Sequence, residues 1–457
     1  MEYHDPSGVF PLVSRDLASR LPLRNLNWHS PPRPLRQIKS LHVDFVPDKD
    51  TQSNLRPQVS RTESDGPATS FDIVRGSNER KPTVKERRHQ IPGFRTSPYL
   101  KIYVLRCDDK DTYKETSRRK IREWIRENAQ PENKRSDHDA FEWMILHVVI
   151  PDTVAASEPR WRESTRDPDE LKERKGGTKL IGKSTRTVFD RLRADFNETG
   201  KLGQDRVAQI RLTKDRVPAD LLPTPAIAQT LEESPQEREN AWNHLISKFK
   251  TQILGPFDRR VRQYEADIAE QEARRSLPGW NFCTFFIHKE GLAKALESIG
   301  LVEDAVAIYD ELALGLESIL REIATGQTQG TATSFADCTD DIKKRIMNLG
   351  GKQPNGTNDA DWNSTATLDA EALFDKDYRE QIVRSNISIF DFMCYIFSRQ
   401  KALVLRLANA KAIRLQLGTD TSREGGEDLV LTSEACWRAS SFIHNAARCL
   451  RQDLSTA

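Results

Sequence analysis

Residues 141–150 read FEWMILHVVI, hydrophobic at nearly every position. Such a run suits a strand covered on both faces, which needs a parallel sheet with helices above and below it. The flanking segments supply the parts. Tyr99–Cys107, YLKIYVLRC, reads as a strand, and Asp111 or Thr112 can cap a helix reaching about Asn128. That helix carries Tyr113, Ile121, Trp124 and Ile125 on one face. After the doubly covered strand come a helix over Thr187–Phe196 with Val188, Leu192 and Phe196 inward, the strand Val207–Leu212, and a helix near 237–254. Strand and helix in alternation predict a parallel sheet with right-handed crossovers.

The remaining segments divide the chain. Residues 1–47 are expected as an extended N-terminal segment, with a turn at Asp5-Pro6-Ser7-Gly8 and a strand at Leu41–Val46. Residues 48–95 are polar and aperiodic and read as a disordered loop. An α/β domain over 96–235 with a charged, disordered insertion at 152–184 follows, and then an α-helical, solenoid-like region over 236–457 with a polar insertion at 325–367. In that region Phe285, Leu292, Leu296 and Ile299 mark a helix over 283–299 that Gly300 stops, and Leu301, Ala305, Ile308, Leu312, Leu316 and Ile319 mark the next. Two helices joined at one glycine form an αα-hairpin. A long helical segment is expected near 377–416 and a final helix from about Ser433. The run Ile387–Phe397, ISIFDFMCYIF, is apolar on almost every side, as either core or an interface. The fold class read from these patterns is α/β followed by all-α. Its first part is GTPase-like without a phosphate loop, its second an α-solenoid of helical hairpins without a clean repeat period.

Lys and Arg number 70 against 68 Asp and Glu over 457 residues, so overall charge makes no case for nucleic acid. Apolar stretches are too short to span a bilayer, and no secretory segment follows Met1. Six cysteines without a CxxC pair suit a reducing cytosol, which leaves the Asn-x-Ser/Thr triplets at Asn197, Asn355, Asn363 and Asn386 without consequence. Structured sequence begins at the first residues, and the last helical pattern ends near Leu454; both suggest a fragment.

Gly177-Thr178-Lys179-Leu180-Ile181-Gly182-Lys183-Ser184 matches G-x-x-x-x-G-K-[ST] letter for letter. A working phosphate loop follows a buried strand, whereas Asp167–Lys175, DPDELKERK, is too charged to be one. The motif therefore reads as a chance match in a polar insertion. The alternative is a nucleotide-binding enzyme using Lys183. In this fold the loop belongs directly after the strand ending at Cys107, where Asp108-Asp109-Lys110-Asp111 offers no glycine and three carboxylates that repel phosphate. Lys114, Arg118, Arg122 and Arg126 form a positive row along a helix. It reads as a solvated face relieved by Glu115, Glu123 and Glu127, or alternatively as a peripheral membrane-binding module. His138 between Asp137 and Asp139 reads as a polar turn rather than acid–base chemistry. No catalytic, cofactor-binding or metal-binding residue is assigned.

Three stretches carry a resemblance: residues 2–48 from EYHDPSGVFPLVSRDL to HVDFVPD, 98–116 PYLKIYVLRCDDKDTYKET, and 275–312 RSLPGWNFCTFFIHKEGLAKALESIGLVEDAVAIYDEL. With AASEPRW at 155–161 they resemble, in order and over most of the chain, the subunit-10 family of the trafficking protein particle complex (TRAPP) in its fungal form. The resemblance implies a large non-catalytic subunit of the second TRAPP complex, a cytoplasmic Golgi tether and guanine nucleotide exchange factor for Rab GTPases. Implied partners are the small core subunits, the second large subunit, indirectly a Rab GTPase, and the Golgi membrane surface. No cofactor and no nucleic acid are implied. Family members continue into more solenoid and β-sandwich domains that this chain does not include.

Overall fold

The computed structural model describes residues 1–31, 33–49, 51, 97–128, 137–159, 187–197, 203–326, 333–336, 377–416 and 426–455. They fall into two compact units that divide between Arg259 and Arg260.

In the first unit, five strands make one sheet: β1 (Glu2–His4), β4 (Val46–Pro47), β5 (Leu100–Arg106), β6 (Glu142–Val149) and β7 (Val207–Arg211). Their order is β4-β1-β5-β6-β7 and every pairing is parallel. All five residues of β7 are buried, as are seven of eight in β6, which is why neither strand alternates apolar with polar residues. The expected parallel α/β sheet is therefore present. From β1 the chain steps through β5, β6 and β7 in one direction, and right-handed crossovers put the intervening helices on one face. These are α2 (Arg118–Asn128) and α4 (Val188–Phe196), with the single turn α3 (Val154–Ser157) between them in sequence. Tyr103, Leu105, Ile145, Val149 and Val207 of the sheet share a buried cluster with Ile121 and Trp124 of α2 and Val188 and Leu192 of α4. The opposite face follows from register. Tyr3 pairs with Ile102 and so points away from Tyr103, and its ring stacks on Phe10 of α1 (Phe10–Ser19) at 3.8 Å. Phe10 meets Phe45, and Phe45 meets Phe249 of α5 (Pro235–Ala273).

Residues 1–47 depart from the expected extended segment. They hold β1, α1, and an antiparallel hairpin of β2 (Leu23–Trp28) and β3 (Arg36–Leu41), while the strand expected at Leu41–Val46 is replaced by β3 and the two-residue β4. Three-residue β1 has too little sequence to show a period; its neighbours β4 and β5 make it a strand. In β2 the burial alternation breaks at Asn25, whose φ of 56° shifts the side-chain phase. Helix α1 opens on Gly8 in the left-handed region, and its first amides, those of Val9 and Phe10, donate to the Asp5 carboxylate at 3.1 and 2.7 Å. The helix expected to end near 254 continues through Gly255 and Pro256 to Ala273. Burial of Phe249, Ile253 and Phe257, then Val261 and Tyr264, carries it past the proline. The stretches 48–95, 152–184 and 325–367 lie mostly outside the described residues.

The second unit is helical: α6 (Phe282–Ser298), α7 (Val302–Ala324), α8 (Tyr378–Val383), α9 (Ile389–Gln416) and α10 (Gly426–Ser455). The α6–α7 hairpin turns as expected at Gly300, φ 88°. Gly300 N–H donates to Glu297 O and Leu301 N–H to Leu296 O, both at 3.0 Å, the two bonds of a Schellman motif. The segment 377–416 is two helices rather than one, because Ser385 turns left-handed at φ 51° and Ser388 caps α9 through Asp391. The last helix begins at Gly426, ahead of Ser433. The run Ile387–Phe397 is core along Ile387, Phe392, Cys394 and Ile396.

A carboxylate without solvent exposure, Glu290 of α6, ties this unit together. Arg379 of α8 donates to it at 2.6 Å, Tyr309 of α7 at 3.3 Å, and Tyr395 of α9 also donates, with Lys294 at 3.7 Å. Burial pushes the Glu290 carboxyl up, but the charges of Arg379 and Lys294 and the Tyr395 hydrogen bond hold it below its ordinary value. Next to it, Gly291 lets α6 approach Tyr264 of α5, since a Cβ there would lie 2.3 Å from the Tyr264 ring.

Two outcomes follow. Glu290→Ala strands Arg379 in the interior and lowers stability by about 3–5 kcal/mol in urea unfolding. Because the folded carboxyl is depressed, its contribution is present above the unfolded value, about 4.5, and disappears as pH falls through the lower folded value; the variant and the parent therefore converge in stability on acidification. Gly291→Ala overpacks the Tyr264 contact and lowers stability by about 1–3 kcal/mol, readable as a lower Tm.

Candidate functional site

In an open parallel sheet, ligands bind beyond the carboxyl ends of the strands, where helix N-termini offer free amides. Here that edge is built from the segment after β5, the start of α3, the start of α4 and the end of β7.

After β5, Lys110–Thr112 begins a helix, a π-helical turn follows at Tyr113–Ser117, and α2 continues from it. The amides a phosphate would take are occupied by Asp109. Its carboxylate accepts from Asp111 N–H at 2.8 Å, Thr112 N–H at 2.7 Å and the Thr112 hydroxyl at 2.7 Å. Burial pushes the Asp109 carboxyl up, and these hydrogen bonds outweigh it and hold the group below its ordinary value. Asp108 is engaged by the Arg106 guanidinium at 2.9 Å, and its carbonyl accepts from Ala155 N–H of α3. Lys110 pairs with Glu158 at 2.6 Å.

The second helix N-terminus is closed in the same manner. Thr187 and Asp190 form a capping box on α4. The remaining Glu158 oxygen accepts from Val188 N–H at 2.9 Å. Arg211, at the end of β7, donates to the Glu158 carbonyl and pairs with Glu233 at 3.4 Å. Beneath this layer, fully buried His147 bridges strands: Nε2 reaches the Cys107 carbonyl at 3.0 Å and Nδ1 reaches Gln209 at 3.2 Å. Both bonds are satisfied when Nε2 carries the proton and Nδ1 accepts from the Gln209 amide. His147 clamps β5 to β6 and β7.

The residues singled out in the sequence fall as follows. Lys183 and the whole of Gly177–Ser184 lie outside the described residues. In the basic row, Lys114 pairs with Asp111 at 2.9 Å, Arg118 with Asp195 at 2.8 Å and Arg126 with Glu123 at 3.7 Å. Asp111 and Asp195 do most of the relief expected of the glutamates. The second oxygen of Asp195 accepts from the Tyr113 hydroxyl at 2.6 Å, so Arg118 also locks α2 to α4. His138 is buried in the turn Asp137–Ala140 ahead of β6, in keeping with the turn reading. Four cysteines (Cys107, Cys283, Cys394, Cys449) are buried; burial raises Cys107 and Cys283 to about 11, leaving both protonated at neutral pH. The sequence showed Asp109 as a repulsive charge. Its role as a cap was readable only in the spacing of Asp109 to Thr112, which suits an N-cap.

In the helical unit, α7, α9 and α10 enclose a groove of about 660 Å³ whose walls include Leu314, Met393, Phe397 and Trp437. Leu314 and Trp437 are 66% and 68% exposed there. Arg438 at its side is fixed on Asp310 at 2.8 Å. Among the described residues, no helix is long and apolar enough to cross a membrane.

Comparison with known proteins gives a consistent answer. Residues 69–220 match the family described as "Trafficking protein particle complex subunit 10-like, N-terminal". Trafficking protein particle complex subunit 10 of Dictyostelium discoideum is 25% identical over 415 residues, covering 89% of this chain and 22% of that protein. The human protein of the same name is 25% identical over 312 residues, covering 68% of this chain and 19% of that protein. The Trafficking protein particle complex II-specific subunit 130 homolog of Arabidopsis thaliana is 45% identical over 75 residues, 16% of this chain and 6% of that protein. The chain thus spans about a fifth of the length of the subunit-10 relatives it matches. No solved structure matches it. A parallel α/β unit with a self-closed ligand edge, followed in sequence by a helical unit, is the class of chain these elements define. It is similar to the subunit-10 family of the trafficking protein particle complex, and over residues 69–220 to the N-terminal part of that family.

Asp109→Ala removes the cap on the helix after β5 and is expected to cost about 1–2 kcal/mol in thermal or urea unfolding. GTP and ATP titrated onto the wild-type chain by calorimetry are expected to give no saturable heat, and Lys183→Ala to give the same flat trace.

Proposed function

We propose that this chain is a non-catalytic scaffold portion of a trafficking protein particle subunit, working in an assembly that tethers vesicles at the Golgi and promotes nucleotide exchange on a Rab GTPase. The observation that carries this reading is similarity to proteins named subunit 10 in several species, over as much as 89% of the chain. The carboxyl edge supports it. Asp109 and Glu158 occupy the helix N-termini that a nucleotide would need, so the α/β unit keeps the frame of a ligand-binding fold while its own side chains fill the ligand positions. A scaffold needs stable surfaces, and the buried network around Glu290 holds α6, α7, α8 and α9 in one arrangement. The partners under this reading are the small core subunits and the second large subunit, with the Rab GTPase engaged through them. The protein acts from the cytoplasmic side, on Golgi membranes.

The test is affinity purification of the tagged protein from its own cells, with mass spectrometry of what accompanies it. Small core subunits and the second large subunit are expected in stoichiometric recovery. A set of co-purifying proteins without them overturns the proposal.

A further inference from the structure

Charge is balanced over the whole chain but not locally. Between Asp16 and Asp44 the sequence contains no carboxylate and five cations, Arg20, Arg24, Arg33, Arg36 and Lys39. This stretch contains the β2–β3 hairpin. One face of the hairpin is buried through Leu23, Leu26, Trp28, Ile38 and Leu41. Trp28 anchors it: the indole N–H donates to Asp258 of α5 at 3.2 Å and the ring packs edge-on against Phe257 at 4.9 Å. Arg20 is held by Glu239 at 2.7 Å. The other face is exposed and carries Arg24 and Lys39, which the pairing of Arg24 with Ser40 and Leu26 with Ile38 sets one register step apart. At the hairpin's turn, between Arg33 and Arg36, Leu35 is 62% exposed. Pro31 and Pro34 precede it and leave this turn short of backbone N–H donors.

We propose that the β2–β3 hairpin docks on an anionic membrane surface, with Leu35 entering the headgroup layer and Arg24 and Lys39 meeting lipid phosphates. The biological setting rests on the trafficking reading above; the chemistry does not. An apolar residue flanked by cations, on a turn with few backbone donors to desolvate, suits the boundary between headgroups and acyl chains. An acidic protein would satisfy the cations but offers no apolar layer to Leu35. The helical segment after β5, from the π-helical turn through α2, suits the role less well, because Lys114, Arg118 and Arg126 are paired and Glu115, Glu123 and Glu127 are interleaved with its basic residues.

The experiment is co-sedimentation of the full chain with phosphatidylcholine vesicles, with and without about one-fifth phosphatidylserine, at about 0.1 M salt. Binding is expected only with phosphatidylserine, and release at about 0.5 M salt. Arg24→Glu with Lys39→Glu is expected to weaken binding at least about tenfold, and Leu35→Ser about threefold or more. Arg119→Glu with Arg122→Glu on α2 should change it by less than about twofold. These positions are exposed, and unchanged thermal unfolding confirms that the variants fold. Absence of binding to phosphatidylserine vesicles overturns the proposal. So does undiminished binding of the hairpin variants, or an equal loss in the α2 variant. If the hairpin variant still binds vesicles but loses a co-purifying subunit, the hairpin meets an acidic protein and the proposal falls. Subunit recovery by the same variant shows separately whether the scaffold reading stands.

Discussion

A strand covered on both faces can satisfy its backbone only through neighbouring strands, and this requirement organises the α/β unit. β6 is such a strand, with β5 and β7 paired to its two edges in parallel register. Parallel neighbours cannot be joined by tight turns, so each connection must cross a face of the sheet, and the helices that cross it supply the apolar cover. Tyr103, Ile145 and Val207 share a face, and α2 and α4 close over it. The N-terminal residues follow from the same demand. β5 has a second edge, and β1 occupies it, although three residues could not form a strand without that partner.

The same topology brings two helix N-termini to one edge of the sheet. Unsatisfied amides there attract negative charge, supplied either by a ligand or by the protein. In this chain the protein supplies it. Asp109 caps the helix after β5, Glu158 reaches the first amide of α4, and Lys110 and Arg211 balance the added charge. Arg106 and Asp108 seal the segment between them. A phosphate would have to displace these carboxylates and overcome their repulsion, which makes the edge a structural joint.

The helical unit solves a different problem with related chemistry. Amphipathic helices can slide past one another while keeping apolar contact. Polar groups in the interior, each with a specific partner, remove that freedom. Glu290 engages α7, α8 and α9 at once, and Asp310 of α7 engages Gln400 of α9 and Arg438 of α10. The aromatic cluster of Phe282, Phe286 and Phe392 supplies the apolar contact around which these pairs set register.

Patterns that depend on neighbours in sequence were legible in it. The doubly buried strands, the α2 and α4 faces and the Gly300 turn were all visible, because period and φ preference are local properties. What depended on distant partners was not. Nothing in Glu2–His4 announces a strand, and Asn25 hides the alternation of β2. Pro256 signals a helix end that burial of Phe257 and Val261 overrides. At the candidate site, the sequence showed that the segment after β5 lacks glycine and is acidic, which was enough to argue against a phosphate there. It could not show that Asp109 folds back onto the amides, or that Glu158, 49 residues further on, closes the second helix. The sequence by itself determined the fold class, since hydrophobic period dictates which elements form. The tertiary structure alone decided which charges pair and which remain exposed, since pairing depends on distances that only the folded chain brings about.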